Sequence, residues 1–163
     1  MDILQVDLIL AALVKKRLND DIPDVVLTFS YRPCLSLGSR PLDQNDLLKP
    51  LAEFRNNGIE LFQISRGGGL TYHWPGQLVW FPILKLAEHE QNIPQVMHKL
   101  ADVALRTLAD IGVNANRKRD KTAQIGLWVD SQKVASMGIR LHRWVTSYGF
   151  ALNLYGDSSP AND

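Results

Sequence analysis

Apolar positions along the chain fall into short runs separated by polar, glycine- or proline-marked breaks. In residues 2–18, Ile3, Leu4, Val6, Leu8, Ile9, Leu10, Leu13, Val14 and Leu18 recur at mixed spacings of three and four, and Lys15-Lys16-Arg17 close the run. That spacing predicts a helix whose last-turn cations suit its dipole. After a polar loop, residues 25–31 are rich in β-formers and read as a strand, with 32–38 as a strand end or loop. Residues 46–57 predict a short helix, capped by Asn45 or Asp46 and stopped by Gly58. Residues 59–65 and 77–84 read as strands on either side of a glycine-rich loop. The clearest helix is 92–111, with Pro94 in its first turn, apolar Val96, Met97, Leu100, Val103, Ala104 and Leu108, and Gly112 after its end. Residues 125–129, 133–141 and 144–154 read as three strands, with a turn at Asp130-Ser131-Gln132 and another near His142-Arg143. Hairpin-linked strands with two or three helices beside them predict an α+β fold rather than a doubly wound parallel sheet.

Composition narrows the class. The 163 residues are 45% hydrophobic and 21% charged, which fits one domain with an ordinary core. A formal net charge of +1 gives no global field for nucleic acid or an anionic membrane. The local cluster Arg117-Lys118-Arg119-Asp120-Lys121 reads as a solvated loop in preference to a docking site for an acidic partner. A single cysteine excludes an intrachain disulfide and fits a reducing compartment. No apolar run approaches the ~20 residues of a membrane span, and the N-terminus lacks a basic leader region, so the expectation is a cytoplasmic protein.

The chemistry concentrates in Arg66-Gly67-Gly68-Gly69-Leu70-Thr71-Tyr72-His73-Trp74-Pro75-Gly76-Gln77-Leu78. Three consecutive glycines lie between two predicted strands, so they serve positive φ or a close approach to the backbone. His73 has polar neighbours and reads equally as a proton carrier or as a structural hydrogen-bonding ring. Lys133 opens an otherwise apolar strand. It is either an exposed strand-end lysine or a lysine beside a partly desolvated site, where it lowers a thiol's pKa or polarises a carbonyl. Ala135, Ser136 and Gly138 leave room for a ligand next to it. Gly149 and Ala151 do the same in a later strand. Cys34, between Pro33 and Leu35, reads as a small buried hydrophobe rather than a nucleophile. His89, His98 and His142 share no metal-ligand spacing with His73 or Cys34, so no metal site is expected.

Taken in order, the segments 66–78, Lys133-Val134-Ala135-Ser136-Met137-Gly138 and Ser147-Tyr148-Gly149-Phe150-Ala151-Leu152-Asn153 resemble the three signature segments of the octanoyltransferases (lipoyl(octanoyl) transferases), from about Pro33 to Asn153. The resemblance implies the fold of biotin and lipoate protein ligase catalytic domains, a mixed, mainly antiparallel sheet flanked by helices. It implies transfer of an octanoyl group from octanoyl-acyl carrier protein to a lysine on the lipoyl domains of oxoacid dehydrogenase complexes and of the glycine cleavage H protein, with no cofactor. It assigns the activating role to Lys133. Substrate contacts fall to Arg66, Gly67, Gly68, Gly69, Leu70, Thr71, Tyr72, His73, Ser136, Met137, Gly138, Gly149, Phe150 and Ala151. The family's nucleophilic cysteine lies beyond the third segment, where this sequence has none up to Asp163. The expectation is therefore a single domain over 1–163 with its C-terminal part missing and little transfer activity. Trp74, where the family usually has glycine, is expected to narrow the pocket mouth. Tyr148 stands where histidine is common. The Gly-Gly-Gly run is similar to that of the ATP-dependent lipoate–protein ligases, which gives a second reading. A non-catalytic module that binds an acyl chain or a lipoyl domain is the third.

Overall fold

The computed structural model describes residues 1–43, 46–47, 49–119 and 125–156. Among these, α1 spans Ile3–Leu18, and its N-terminus is capped by Asp2, whose carboxylate accepts from Leu4 N–H at 2.9 Å. The strands β1 (Val25–Phe29) and β2 (Cys34–Leu37) follow, then α2 (Leu51–Asn56), β3 (Glu60–Gln63), β4 (Leu70–His73) and β5 (Gln77–Ile83). Next come a 3-10 turn at Glu88–Glu90 and α3 (Ile93–Asp110). The last elements are β6 (Asn116–Arg119), β7 (Ile125–Val129), β8 (Gln132–His142) and β9 (Val145–Asn153). Asn92 caps α3 through Gln95 N–H, and Gly112 at φ +80 ends it, as the sequence pattern requires. No helix among the described residues is long and apolar enough to cross a membrane.

The strands form two sheets. A six-stranded antiparallel sheet runs β1-β5-β9-β8-β7-β6, and a three-stranded sheet runs β3-β2-β4. In the small sheet β2 pairs parallel to β3 and antiparallel to β4. The β2–β3 crossover carries α2, so one parallel pair sits inside an otherwise antiparallel α+β fold. One face of the large sheet packs on α3 through Leu127, Ala135 and Leu152. The other face packs on α1 and the small sheet through Val79, Phe81 and Ile83 against Ile3, Val6, Leu10, Cys34 and Ile64. β2 is buried along its whole length because both of its faces are covered: Cys34 joins the core against the large sheet, and Leu35 joins the core against α2.

Three expectations change. The helix expected over 46–57 is confined to Leu51–Asn56, because Pro50 occupies the N-cap position and disfavours helix at the preceding residue. Asp46 instead binds Arg40 and the Asp43 N–H, and Asn45 lies outside the described residues. The basic cluster is not simply a loop: residues 116–119 form edge strand β6, paired with β7. Charged residues on an edge strand oppose further strand addition. There Arg117 meets Asp102 at 3.3 Å and Lys118 donates to the Asp130 carbonyl at 2.8 Å, while Asp120 and Lys121 lie outside the described residues. Finally, Leu70–His73 is a strand rather than part of the loop, since pairing with β2 fixes four residues that are too short and too polar to declare themselves.

Candidate active site

The glycine loop is lashed to the segment after β2. Gly38 N–H donates to the Gly69 carbonyl at 3.1 Å, Ser39 N–H to that of Arg66 at 2.9 Å, and Arg40 N–H to that of Gly68 at 3.0 Å. A Cβ on Gly38 would lie 2.4 Å from the Gly68 carbonyl oxygen, so the close approach is possible only without a side chain there. Gly68 itself takes φ +86, the positive φ expected of the triplet. On its other side the loop meets the large sheet: Gly67 N–H donates to the Ile139 carbonyl at 2.9 Å. The loop thus bridges the two sheets.

A buried polar chain fixes the side chains. Arg66, only 8% exposed, donates to the Ser36 carbonyl, Ser36 Oγ, Thr71 Oγ1 and the Gly67 carbonyl at 2.8–3.0 Å. Burial pulls its pKa down to about 10, so the guanidinium remains charged at neutral pH. Ser36 Oγ lies 2.8 Å from His73 Nε2, and His73 Nδ1 lies 2.6 Å from Gln77 Oε1. Gln77 Nε2 donates to Tyr72 O and to Asn153 Oδ1. That leaves Gln77 Oε1 as an acceptor and puts the His73 proton on Nδ1, with Ser36 O–H donating to Nε2. Asn153 Nδ2 then donates to the carbonyl of Lys133 at 3.1 Å. Burial lowers the His73 pKa to about 4, so the ring is neutral, and both of its nitrogens are occupied. Of the two roles open to His73 in the sequence, the geometry matches the structural one.

Between the sheets lies a tight cleft that brings together the three signature segments. Arg66, Thr71 and His73 come from the first, Ser136, Met137 and Gly138 from the second, and Gly149, Phe150 and Ala151 from the third. Its free internal volume is about 20 Å³. Gly67, Gly68 and Gly69 shape the backbone around the cleft instead of lining it. Leu70 and Tyr72 turn toward α2. Trp74 is a correction: it does not narrow the cleft but stacks on Tyr72 at 5.4 Å and donates its Nε1–H to the Tyr155 carbonyl. Tyr31, Ile64 and Phe81 also line the cleft and were not anticipated. Only the partly aromatic, strand-like character of their segments marked them, and that is equally the mark of core.

Lys133 does not line the cleft, yet it shares its floor. The β7–β8 register pairs Gly126 with Ser136 and Leu127 with Ala135, then shifts, so that Trp128 pairs with Lys133. Val134 is the extra residue of this bulge, which turns Lys133 onto the same sheet face as Ser136; regular alternation would point it away. Its Nζ lies 5.7 Å from the Trp128 ring centroid, and its stem crosses Gly126, where a Cβ would sit 2.6 Å from Lys133 Cε.

Cys34 lies on β2 at 5% exposure, and burial pushes its thiol up to about 12. A neutral, enclosed thiol is a poor nucleophile. Native protein is expected to resist iodoacetamide at pH 8 and to alkylate rapidly once unfolded in urea. Rapid native alkylation, followed by mass spectrometry, would reverse that reading. Among the described residues no group of three or more His, Cys, Asp or Glu side chains is placed to hold a metal ion.

An α+β domain with a cleft between a large antiparallel sheet and a small mixed one, built from these three segments, has clear relatives. The lipoyl protein ligase A/B catalytic domain matches residues 9–163, and the chain belongs to that family. An octanoyltransferase of Thermosynechococcus vestitus is 38% identical over 88% of this chain and 60% of its own length. One of Gloeobacter violaceus is 39% identical over 84% and 58%. The chain thus spans about three-fifths of the length of these curated relatives. Among solved structures, lipoate-protein ligase A bound with ATP superposes with a TM-score of 0.72 at 14% identity, covering 88% of this chain and 61% of its own. The bipartite lipoate protein ligase of Thermoplasma acidophilum superposes with a TM-score of 0.69 at 13% identity, covering 93% and 59%. At these identities the structures establish the fold.

Proposed function

We propose that this chain receives the carbonyl end of an octanoyl thioester at the inter-sheet cleft, for transfer from acyl carrier protein to a lysine of a lipoyl domain. The observation that carries this reading is the convergence of the three signature segments on one cleft, with the bulge in β8 turning Lys133 onto the cleft's floor. The ammonium of Lys133 favours a thiolate or polarises the acyl carbonyl. Substrate contacts are the nine cleft-lining residues of the three segments. The single cysteine, Cys34, is closed off from this chemistry, so a thioester route needs a thiol other than Cys34.

The test is binding and mass analysis with octanoyl-acyl carrier protein, with and without a lipoyl domain. Saturable binding without ATP is expected, with no hydroxylamine-sensitive mass gain on the chain. Lys133→Ala is expected to weaken binding about tenfold, the scale of one charge-assisted contact. A thioester on Cys34 would overturn the account of that thiol. Modification of the lipoyl domain only with free octanoate and ATP would instead establish the ligase reading.

A further inference from the structure

The indole of Trp128 is unfavourably placed for a residue that only packs. Its Nε1–H is buried and has no hydrogen-bond partner. A buried donor left unpaired destabilises the fold, and a phenyl ring would fill much of the same place without one. Trp74 marks the contrast, since its Nε1–H donates to the Tyr155 carbonyl at 3.0 Å. Packing alone favours a purely apolar ring at 128, so the indole has another reason to be there.

Its surroundings supply that reason. Gly126 and Trp128 alternate with Leu127 on β7, so they share the sheet face that Ser136, the partner of Gly126, presents to the cleft. The bulge in β8 turns Lys133 onto that same face, opposite Trp128. A Cβ on Gly126 would lie 2.6 Å from Lys133 Cε and 3.2 Å from Trp128 Nε1. Gly126 is therefore a bare floor on which the lysine stem and the indole edge meet. The ammonium lies 5.7 Å from the ring centroid, within reach of the negative face of the ring. Tryptophan gives the strongest attraction of this kind among the aromatic side chains. A flexible four-carbon stem loses much rotamer freedom when held in one place, and a bare floor with a ring beside the head offsets that loss.

We infer that Trp128 is the positioning residue of Lys133: with Gly126 it holds the ammonium at the cleft's floor, where the carbonyl end of the acyl thioester arrives. This inference rests on the acyl-transfer reading above and adds to it the group that sets where the charge of Lys133 lies. Trp128 does not line the cleft, so it acts through the lysine. An ammonium free to range through solvent meets the acyl carbonyl only part of the time. One held beforehand does not have to be ordered when the substrate binds.

Two measurements test this. In proton–carbon nuclear magnetic resonance spectra, the Lys133 ε-methylene signal, assigned by its loss in Lys133→Arg, is expected to be displaced from the common position of exposed lysines by the ring current of Trp128. Trp128→Leu is expected to return it to that position, and Trp128→Phe to keep part of the displacement. A Lys133 signal at the common position in the wild-type chain would overturn the inference. In binding to octanoyl-acyl carrier protein, Trp128→Leu is expected to weaken affinity about fivefold, against about tenfold for Lys133→Ala, and the double variant no further than Lys133→Ala alone. Losses that multiply in the double variant would mean that Trp128 acts independently of the lysine, which also overturns the inference. Trp128→Phe is expected to keep the wild-type urea midpoint, because it gives up the unpaired N–H, while losing about twofold in affinity. A lowered midpoint with unchanged affinity would reduce Trp128 to a packing residue. Failure of the wild-type chain to bind octanoyl-acyl carrier protein would sink the acyl-transfer reading, and the Lys133 signal would still decide whether Trp128 holds the lysine.

Discussion

Acidification from pH 7 to about pH 4 is expected to remove about 3 kcal/mol of folding stability through His73 alone. The ring's ordinary pKa is 6.5, and burial holds it at about 4 in the folded chain. Between those values the unfolded chain binds one more proton than the folded chain. Stability therefore falls as pH falls through this window, by about 1.4 kcal/mol per unit. The structural reason is specific: a proton on Nε2 would point at Ser36 Oγ, which already accepts from Arg66, and would place a second cation in the same buried network. Asp20 and Glu90, held low by hydrogen bonds from Lys85 and Lys99, act with the same sign but only as pH falls through and below their own range. Asp7, raised by burial, acts with the opposite sign. Urea unfolding at a series of pH values measures the slope. His73→Gln is expected to start less stable at pH 7 and to lose about one proton's worth of slope between pH 6 and pH 4.5. A variant with the full wild-type slope would show that another group carries the effect.

Gly138→Ala is expected to cost about 3 kcal/mol of stability, with loss of ligand binding. A Cβ there would lie 2.6 Å from the Gly67 carbonyl oxygen, and backbone cannot swing aside as a side-chain tip can. Relief requires the glycine loop to lift off the large sheet, which breaks the Gly67–Ile139 hydrogen bond and the register of the polar chain behind it. Gly67→Ala probes the same contact from the other side, where the nearest atom is the Ile139 carbonyl oxygen at 3.1 Å. It is expected to cost about 1 kcal/mol, since a shift of a few tenths of an ångström is enough. Thermal or urea unfolding of the two variants, with octanoyl-thioester binding alongside, tests the order. Equal costs would mean that the loop is free to move and does not bridge the sheets.

Much of the scaffold was legible in the chain itself. α3 announced itself through a first-turn proline, a clean apolar stripe and a terminal glycine, all of which act within a few residues of the helix. The β8–β9 hairpin was legible for the same reason. The three signature segments were visible as unusual combinations of glycine with polar residues, and the cleft they form was implied by their resemblance to the octanoyltransferases. β4 and β6 were not legible. Each is four residues long, and each is a strand only because β2 or β7 lies beside it.

What the sequence determined is the set of local elements, the positive-φ demand of the glycine loop and the absence of any cysteine but Cys34. Which face each residue takes was decided by tertiary structure. A one-residue bulge opposite Trp128 turns Lys133 onto the cleft side, and a left-handed residue turns Tyr148 toward α1. Neither is encoded in residue type, because both depend on the register of a partner strand. The same holds for His73 and Arg66. Their sequence permits catalysis or structure; the distant Ser36 and the nearby Gln77, itself held by Asn153, commit their hydrogen bonds to the buried network between the two sheets.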